Sequence, residues 1–247
     1  QVQRLGRRAD LALAVQHALR GEEGDDAAMT EGRVYAVLTG DLVRSRAIKD
    51  AYGEECIHRL KDTLAGIGRN YTVPFSIYRG DSFQGVSSDP GEALADAVLL
   101  RLKFISGFDH GSSALRLDAR IAIGIGTVQY LPEGGSAGEG DGEAFRRSGL
   151  ELDLMKEAGR GITVKTPWED VNATLSIFCD VLDRTIDGYT KKQAEAVMLT
   201  LEGLTQKEIG ERVGTSQSAV SYRLKGTGYD LVQKILEWYR LQISSRI

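Results

Sequence analysis

The chain has 247 residues, 42% hydrophobic and 27% charged, with a formal net charge of -4, an ordinary globular composition with enough material for one large domain or two small ones. No stretch approaches the ~18 apolar residues of a membrane span, and no charged-apolar-small signal segment opens the sequence, so a cytoplasmic protein without membrane contact is expected. Cys56 and Cys179 have no second Cys or His at metal-ligand spacing and read as buried thiols of a reducing compartment, while His17, His58 and His110 are isolated and are assigned no role.

Residues 1–28 combine an Arg-rich amphipathic helix pattern with a Gly/Asp/Glu linker, and are expected to form an accessory helix and linker without chemistry. Met29 begins what reads as a self-contained domain reaching to residue 167. Alternation and β-branched content make residues 33–42 a strand, after which Ile48, Tyr52, Cys56, Leu60, Leu64 and Ile67 recur at helical spacing. Residues 72–78 and 83–87 read as two strands joined by a tight turn over Arg79, Gly80, Asp81 and Ser82. Asp89-Pro90 opens a second helix with Leu94, Ala97, Val98, Leu102 and Ile105 on one face. A further strand alternates around Ile121, Ile123, Ile125 and Val128.

The order β-α-β-β-α-β predicts an α+β, ferredoxin-like domain: a four-stranded antiparallel sheet with both helices on one face. In that topology the first and third strands are central neighbours. The end of the first strand and the hairpin turn then share one sheet edge, which brings Asp41 and Asp81 together.

Residues 132–142 form a glycine-rich acidic loop that reads as a solvated connector or, as a lid, would contribute backbone N–H groups and Asp141 or Glu143. "EAFRRSGLELDLMKEA" continues as a helix and "GITVKTP" as a short strand. Residues 168–247 form an all-α part. Val171, Leu175, Phe178, Leu182 and Ile186 mark one long helix, and Thr190 starts another with Ala194, Val197 and Leu201.

"LTQKEIGERVGTSQSAVSYRL" has helix-turn-helix spacing. Ile209 and Val213 face inward, Gly210 is small where the helices cross, Gly214 permits the turn, and Ala219, Val220 and Leu224 anchor the second helix. Thr205 and Ser216 suit the two N-caps. The exposed side offers Ser216, Gln217, Ser218, Ser221, Tyr222 and Arg223, with Lys225 beyond: Gln and Arg suit base edges, Ser, Tyr and Lys suit phosphates. Residues 189–247 carry a net charge of +3 and the remainder -7, a weak footprint that places any nucleic-acid surface in the tail.

Two carboxylates within several ångströms repel, and one protonates unless a cation stands between them. A divalent metal resolves this, because Mg²⁺ takes a few hard oxygens, here Asp41, Asp81 and the Leu42 carbonyl, and shares them with substrate phosphates. Val43, Arg44, Ser45 and Arg46 enter a helix whose N–H groups face the same edge and suit a triphosphate. Singly, a Gly-Asp hairpin turn and an aspartate after a strand are routine structural features.

"TGDLVRSR", "YRGDSFQGV" and "RIAIGIGTV" resemble the metal-binding palm of class III nucleotidyl cyclases, and the hairpin resembles the Gly-Gly-Asp-Glu-Phe motif of diguanylate cyclases. The ordered set "GDLVRSR", "GDSFQG", "GIGIGTV", "GDGEAF" and "TQKEIGERVGTSQSAVSYRL" resembles the SatD family of bacterial proteins, from about Arg33 to the end of the chain. The cyclase resemblance implies Asp41 and Asp81 as ligands of Mg²⁺ or Mn²⁺, residues 42–46 as a phosphate loop, and Gly80 and Ser82 beside the nucleotide. The chain also departs from the cyclase pattern. Ser82 stands where diguanylate cyclases carry glutamate, and the helix at 143–153 has no Asn, only Arg146 and Arg147 as candidate cations. The expected function is therefore a homodimeric regulator that binds a nucleoside triphosphate or cyclic nucleotide with a metal and binds DNA through its tail. The alternative is an active nucleotidyl cyclase or related phosphoryl-transfer enzyme using two Asp-bound metals.

Overall fold

The alternation read in the first and fourth strands builds the centre of the sheet. The computed structural model describes residues 32–107, 116–131 and 136–247; the accessory segment expected over 1–28 and the start of the glycine loop lie outside them. The elements run β1 (Val34–Leu42), α1 (Ser45–Tyr52), α2 (Glu55–Ile67), β2 (Val73–Arg79), β3 (Ser82–Ser87), α3 (Ala93–Gly107), β4 (Ala119–Thr127), α4 (Glu143–Ala158) and β5 (Ile162–Lys165). Five helices follow: α5 (Glu169–Asp187), α6 (Lys191–Leu201), α7 (Gln206–Arg212), α8 (Gln217–Leu224) and α9 (Tyr229–Ser244).

The sheet order is β2-β3-β1-β4-β5. β1 pairs antiparallel with β3 and β4, so the first and third strands are central neighbours, as the topology required. The four-stranded antiparallel expectation needs correction, because β5 adds a fifth strand parallel to β4 and the sheet is mixed. The two-helix layer on one face is also incomplete. Ala36, Leu38, Ile121, Ile123 and Ile125 join Leu60, Leu64, Leu94 and Val98 in one core, but the other side of β1 and β4 is buried as well, with Val37 and Ala122 at zero exposure. A sheet apolar on both faces needs a cover on both, and α4 supplies the second. Its backbone lies flat on β4 because Gly124 has no side chain: a Cβ there would stand 2.1 Å from the Ala144 carbonyl oxygen.

The single helix expected from Ile48 to Ile67 is two helices, broken where Gly53 adopts φ +60°. The apolar repeat runs through the break, so spacing alone hides it.

The tail packs on the same core as the sheet, which includes Leu175, Leu182, Val197, Ile209, Leu224 and Tyr239. α5 covers the outer edge of β5, which would otherwise present unpaired backbone groups: Asp183 accepts from the Gly161 N–H at 2.7 Å and Asn172 from the Thr166 N–H at 2.8 Å. A buried guanidinium ties the layers together. Arg101 of α3 is 2% exposed and reaches Asp118 ahead of β4 at 2.8 Å, and Asp183 and Asp187 of α5 at 2.8 and 2.9 Å. Burial pulls against its charge, and the three carboxylates more than offset that, raising its pKa. Arg116 caps α5 by donating to the Ile186 and Asp187 carbonyls at 2.8 Å each. Among the described residues no helix is long and apolar enough to cross a membrane, and both Cys56 and Cys179 are buried free thiols.

Candidate functional site

Because the side chains of a strand alternate, Val37, Thr39 and Asp41 all face α4, away from the main core. β3 enters beside them: Gly40 lies opposite Phe83, and the hairpin turn at Gly80 and Asp81 ends at the same edge. The result is a cleft of about 580 Å³, lined by Thr39 and Asp41 of β1, Tyr78 to Ser82 of the hairpin (Arg79 excepted), and Gly149, Leu152, Asp153 and Lys156 of α4. Its floor is held by a polar chain, with Gln84 donating to the Thr39 hydroxyl at 2.7 Å and Thr39 bonded to Ser148 at 2.9 Å.

Asp41 and Asp81 meet in this cleft, as the topology predicted. Asp81 accepts a hydrogen bond from the Leu42 N–H at 3.2 Å. The group of Leu42 that turns to the aspartate is thus its donor, whereas its carbonyl was the group expected to serve a metal. Asp41, 11% exposed in its side chain, faces two cations: Arg120 Nε lies 3.3 Å from Oδ1 and Lys156 Nζ 3.5 Å from Oδ2. The positive charge expected from an ion is thus supplied in this structure by Arg120 and Lys156. Burial raises the Asp41 pKa above the usual aspartate value, Arg120 and Lys156 oppose that, and Asp81 adds to it.

The two cations differ in tether. Arg120 sits directly across from Asp41 in the β1–β4 register. Lys156 is 42% exposed in its side chain and also reaches Asp153 at 3.4 Å, so its long stem can turn to another anion at little cost.

A metal at this point is tested by the donors present. Among the described residues no group of three or more His, Cys, Asp or Glu side chains could hold an ion alone. Asp41 Oδ1 is nonetheless the one buried carboxylate oxygen among them without a hydrogen bond. One orphaned oxygen with a second aspartate beside it suits a hard cation that takes its remaining ligands from water and a phosphate. The residues fit such an ion when it arrives with its ligand and displaces Arg120 from Oδ1 and Lys156 from Oδ2.

Of the other residues expected at the site, Gly80 and Ser82 line the cleft. Val43, Arg44, Ser45 and Arg46 lead from β1 into α1 but do not line it; Val43 N–H donates to the Asp118 carbonyl at 2.9 Å. Arg44 is the only non-glycine among the described residues at positive φ, 56°, a conformation that costs a side-chain-bearing residue roughly 1–2 kcal/mol. Arg146 and Arg147 lie in the first turns of α4, far from Lys156, about 15 Å along the helix axis. Arg146 pairs with Asp141 at 3.2 Å, and Arg147 with Glu143 at 3.0 Å and the Ile125 carbonyl at 2.9 Å. The cation that α4 brings to the cleft is Lys156. Sequence reasoning missed it and Arg120; the signal was present in the i, i+4, i+8 series Ser148, Leu152, Lys156, which continues the face that α4 buries. Residues 136–142 pack against β2 and β4, with Ser136 bonded to Ser76 at 2.8 Å and Asp141 bridged to Tyr130.

In the tail, α7 and α8 meet at a short turn. Thr205 and Glu208 form a reciprocal capping box, and Ser216 accepts from the Ala219 N–H at 3.2 Å. A Cβ on Gly210 would stand 2.8 Å from the Thr215 carbonyl, and Gly214 turns the chain at φ +67°. Ile209, Val220 and Leu224 are buried. Outward stand Ser216, Gln217, Ser218, Ser221, Tyr222 and Lys225, all exposed, Tyr222 at 80%. Arg223 departs from this face, since its side chain is 18% exposed and lies 3.6 Å from Glu195 of α6.

No family model matches the chain, and no curated protein matches it. Among solved structures it is similar to the GGEEF domain of a diguanylate cyclase from Vibrio cholerae, at 16% identity and a TM-score of 0.41, over 64% of this chain and 91% of that one. A bacterial light-regulated adenylyl cyclase gives 15% identity and a TM-score of 0.42 over 55% and 77%. A dimeric guanylyl cyclase domain from the fungus Blastocladiella emersonii gives 17% and 0.39 over 50% and 75%. These are likenesses of fold, and the chemistry of the cleft rests on its own residues.

Proposed function

We propose that this chain is a nucleotide-responsive DNA-binding regulator: a palm part, residues 29–167, takes a phosphate-bearing nucleotide with Mg²⁺ or Mn²⁺, and a helical part, residues 168–247, reads DNA as a helix-turn-helix. The observation that carries the reading is the convergence of Asp41, Asp81 and Lys156 on one open cleft. Asp41 and Asp81 hold the ion, Lys156 leaves Asp41 for a phosphate oxygen, and Gly80 and Ser82 flank the nucleotide. The ion supplies charge neutralisation between carboxylates and phosphates. In the tail, Gln217, Ser218, Ser221 and Tyr222 of α8 face a groove, with Lys225 toward phosphate. A homodimer matches the two-fold symmetry such readers use. The assignment to the SatD family rests on the five sequence motifs.

Calorimetric titration with ATP or GTP and Mg²⁺ is expected to give saturable binding that Asp41→Asn weakens by about tenfold or more, as loss of a charged ligand requires. Binding to a duplex is expected to fall steeply with salt. Absence of both interactions in the native chain sinks the proposal. Conversion of the nucleotide to a cyclic or linear product, lost in Asp41→Asn, would make it an enzyme instead.

A further inference from the structure

We infer that the cleft seats a nucleobase as a flat ring between the side chain of Tyr78 and the backbone of α4 at Gly149, an inference that rests on the nucleotide reading above. α4 is a sixteen-residue helix with glycine near its middle, where glycine is among the poorest helix formers. Packing explains the close approach of this helix to Gly124 on β4, where an added Cβ would stand 2.1 Å from the Ala144 carbonyl. Gly149 is different. A Cβ built there meets no described atom within 4 Å, and the residue lines the cleft. Nothing among the described residues requires the missing methyl, so what the glycine keeps open is the cleft itself.

The hairpin supplies a partner for a ring. Tyr78, beside the hairpin turn, is 46% exposed and lines the same cleft. Leu152, 4% exposed, also lines the cleft and adds apolar surface to its wall. Lys156 is seven positions beyond Gly149 along α4, about 10 Å by helix rise, and pairs with Asp41; burial raises the Tyr78 pKa and Lys156 opposes that, so the charged pair reaches the hydroxyl edge of the ring. A ligand with a flat ring to lie on the Tyr78 face and an anionic group to meet Lys156 fits these groups. A base stacked on an aromatic side chain is held largely without regard to which base it is.

The test compares ATP, GTP and inorganic tripolyphosphate, each with Mg²⁺, on the full chain and on three variants. Tyr78→Ala is expected to weaken nucleoside triphosphate binding by about tenfold, the scale of one base–aromatic stack, while Tyr78→Phe stays near the native value. The preference for nucleoside triphosphate over tripolyphosphate then collapses in the alanine variant. Gly149→Ala is expected to raise the Tm by about 2–4 °C, because alanine favours the helix, yet to weaken nucleotide binding, because its methyl stands in the cleft. Stability and affinity moving in opposite directions separates a kept space from a structural role. If Tyr78→Ala and Gly149→Ala bind ATP and GTP like the native chain, the seat is refuted while the nucleotide reading stands. If the native chain binds neither nucleotide nor tripolyphosphate, both fall together.

Discussion

In the α7–α8 pair, the residues that shape the turn, from Thr205 to Leu224, lie within about twenty positions of one another, and each acts locally as a cap, a small contact, a turn or an anchor. The cleft draws Thr39, Asp41, Asp81 and Lys156 from strand, hairpin and a late helix more than a hundred positions apart. The first region is specified by short-range rules that hold wherever it is placed. The second exists only because β1 lies between β3 and β4 while α4 returns across the outer face of the sheet. Binding geometry of this second kind depends on global packing, so changes far from the cleft can damage it.

The largest effect is expected where the two regions share a support. Arg101→Ala leaves Asp118, Asp183 and Asp187 without their common cation, and loss of one partner from a buried ion network costs about 3–5 kcal/mol. Urea unfolding should show that loss in a single transition, because sheet and tail share one core; separate transitions for cleft and tail would break the link drawn here. Gly210→Val sharpens the contrast by striking the tail alone. Its side chain meets the Thr215 carbonyl, at a cost of about 1–3 kcal/mol for overpacking, so duplex binding should be lost while nucleotide titration is unchanged. The smallest effect is Thr205→Ala, which removes half of a capping box and should cost about 1 kcal/mol, read as a lower urea midpoint with unchanged slope.

How far each region was legible follows from the same contrast. Thr205, Gly210, Gly214 and Ser216 take the roles that their residue types imply, because capping and turn chemistry act within a few positions. Asp41 and Asp81 were placed together correctly, since the strand order follows from the alternation of β and α patterns and the hairpin turn must end at the strand edge. Arg146 and Arg147 were assigned to the nucleotide because they are the obvious cations of α4. The structure sends them to Asp141, Glu143 and the Ile125 carbonyl, at the far end of that helix from Lys156. Arg223 looked like a base-reading side chain but lies against Glu195, a partner on another helix that no spacing rule on α8 could reveal.

The sequence by itself determined the strands, most of the helices, the caps of the tail and the meeting of two aspartates, because periodicity and turn chemistry act over a few residues and the topology leaves few choices. Only the tertiary structure decided that α4 covers the second face, that β5 joins parallel to β4, and that Arg120 and Lys156 stand over Asp41. Those choices depend on which side of a doubly buried sheet a helix lands and on which of its turns comes level with a given strand residue, distances that one chain's pattern does not contain.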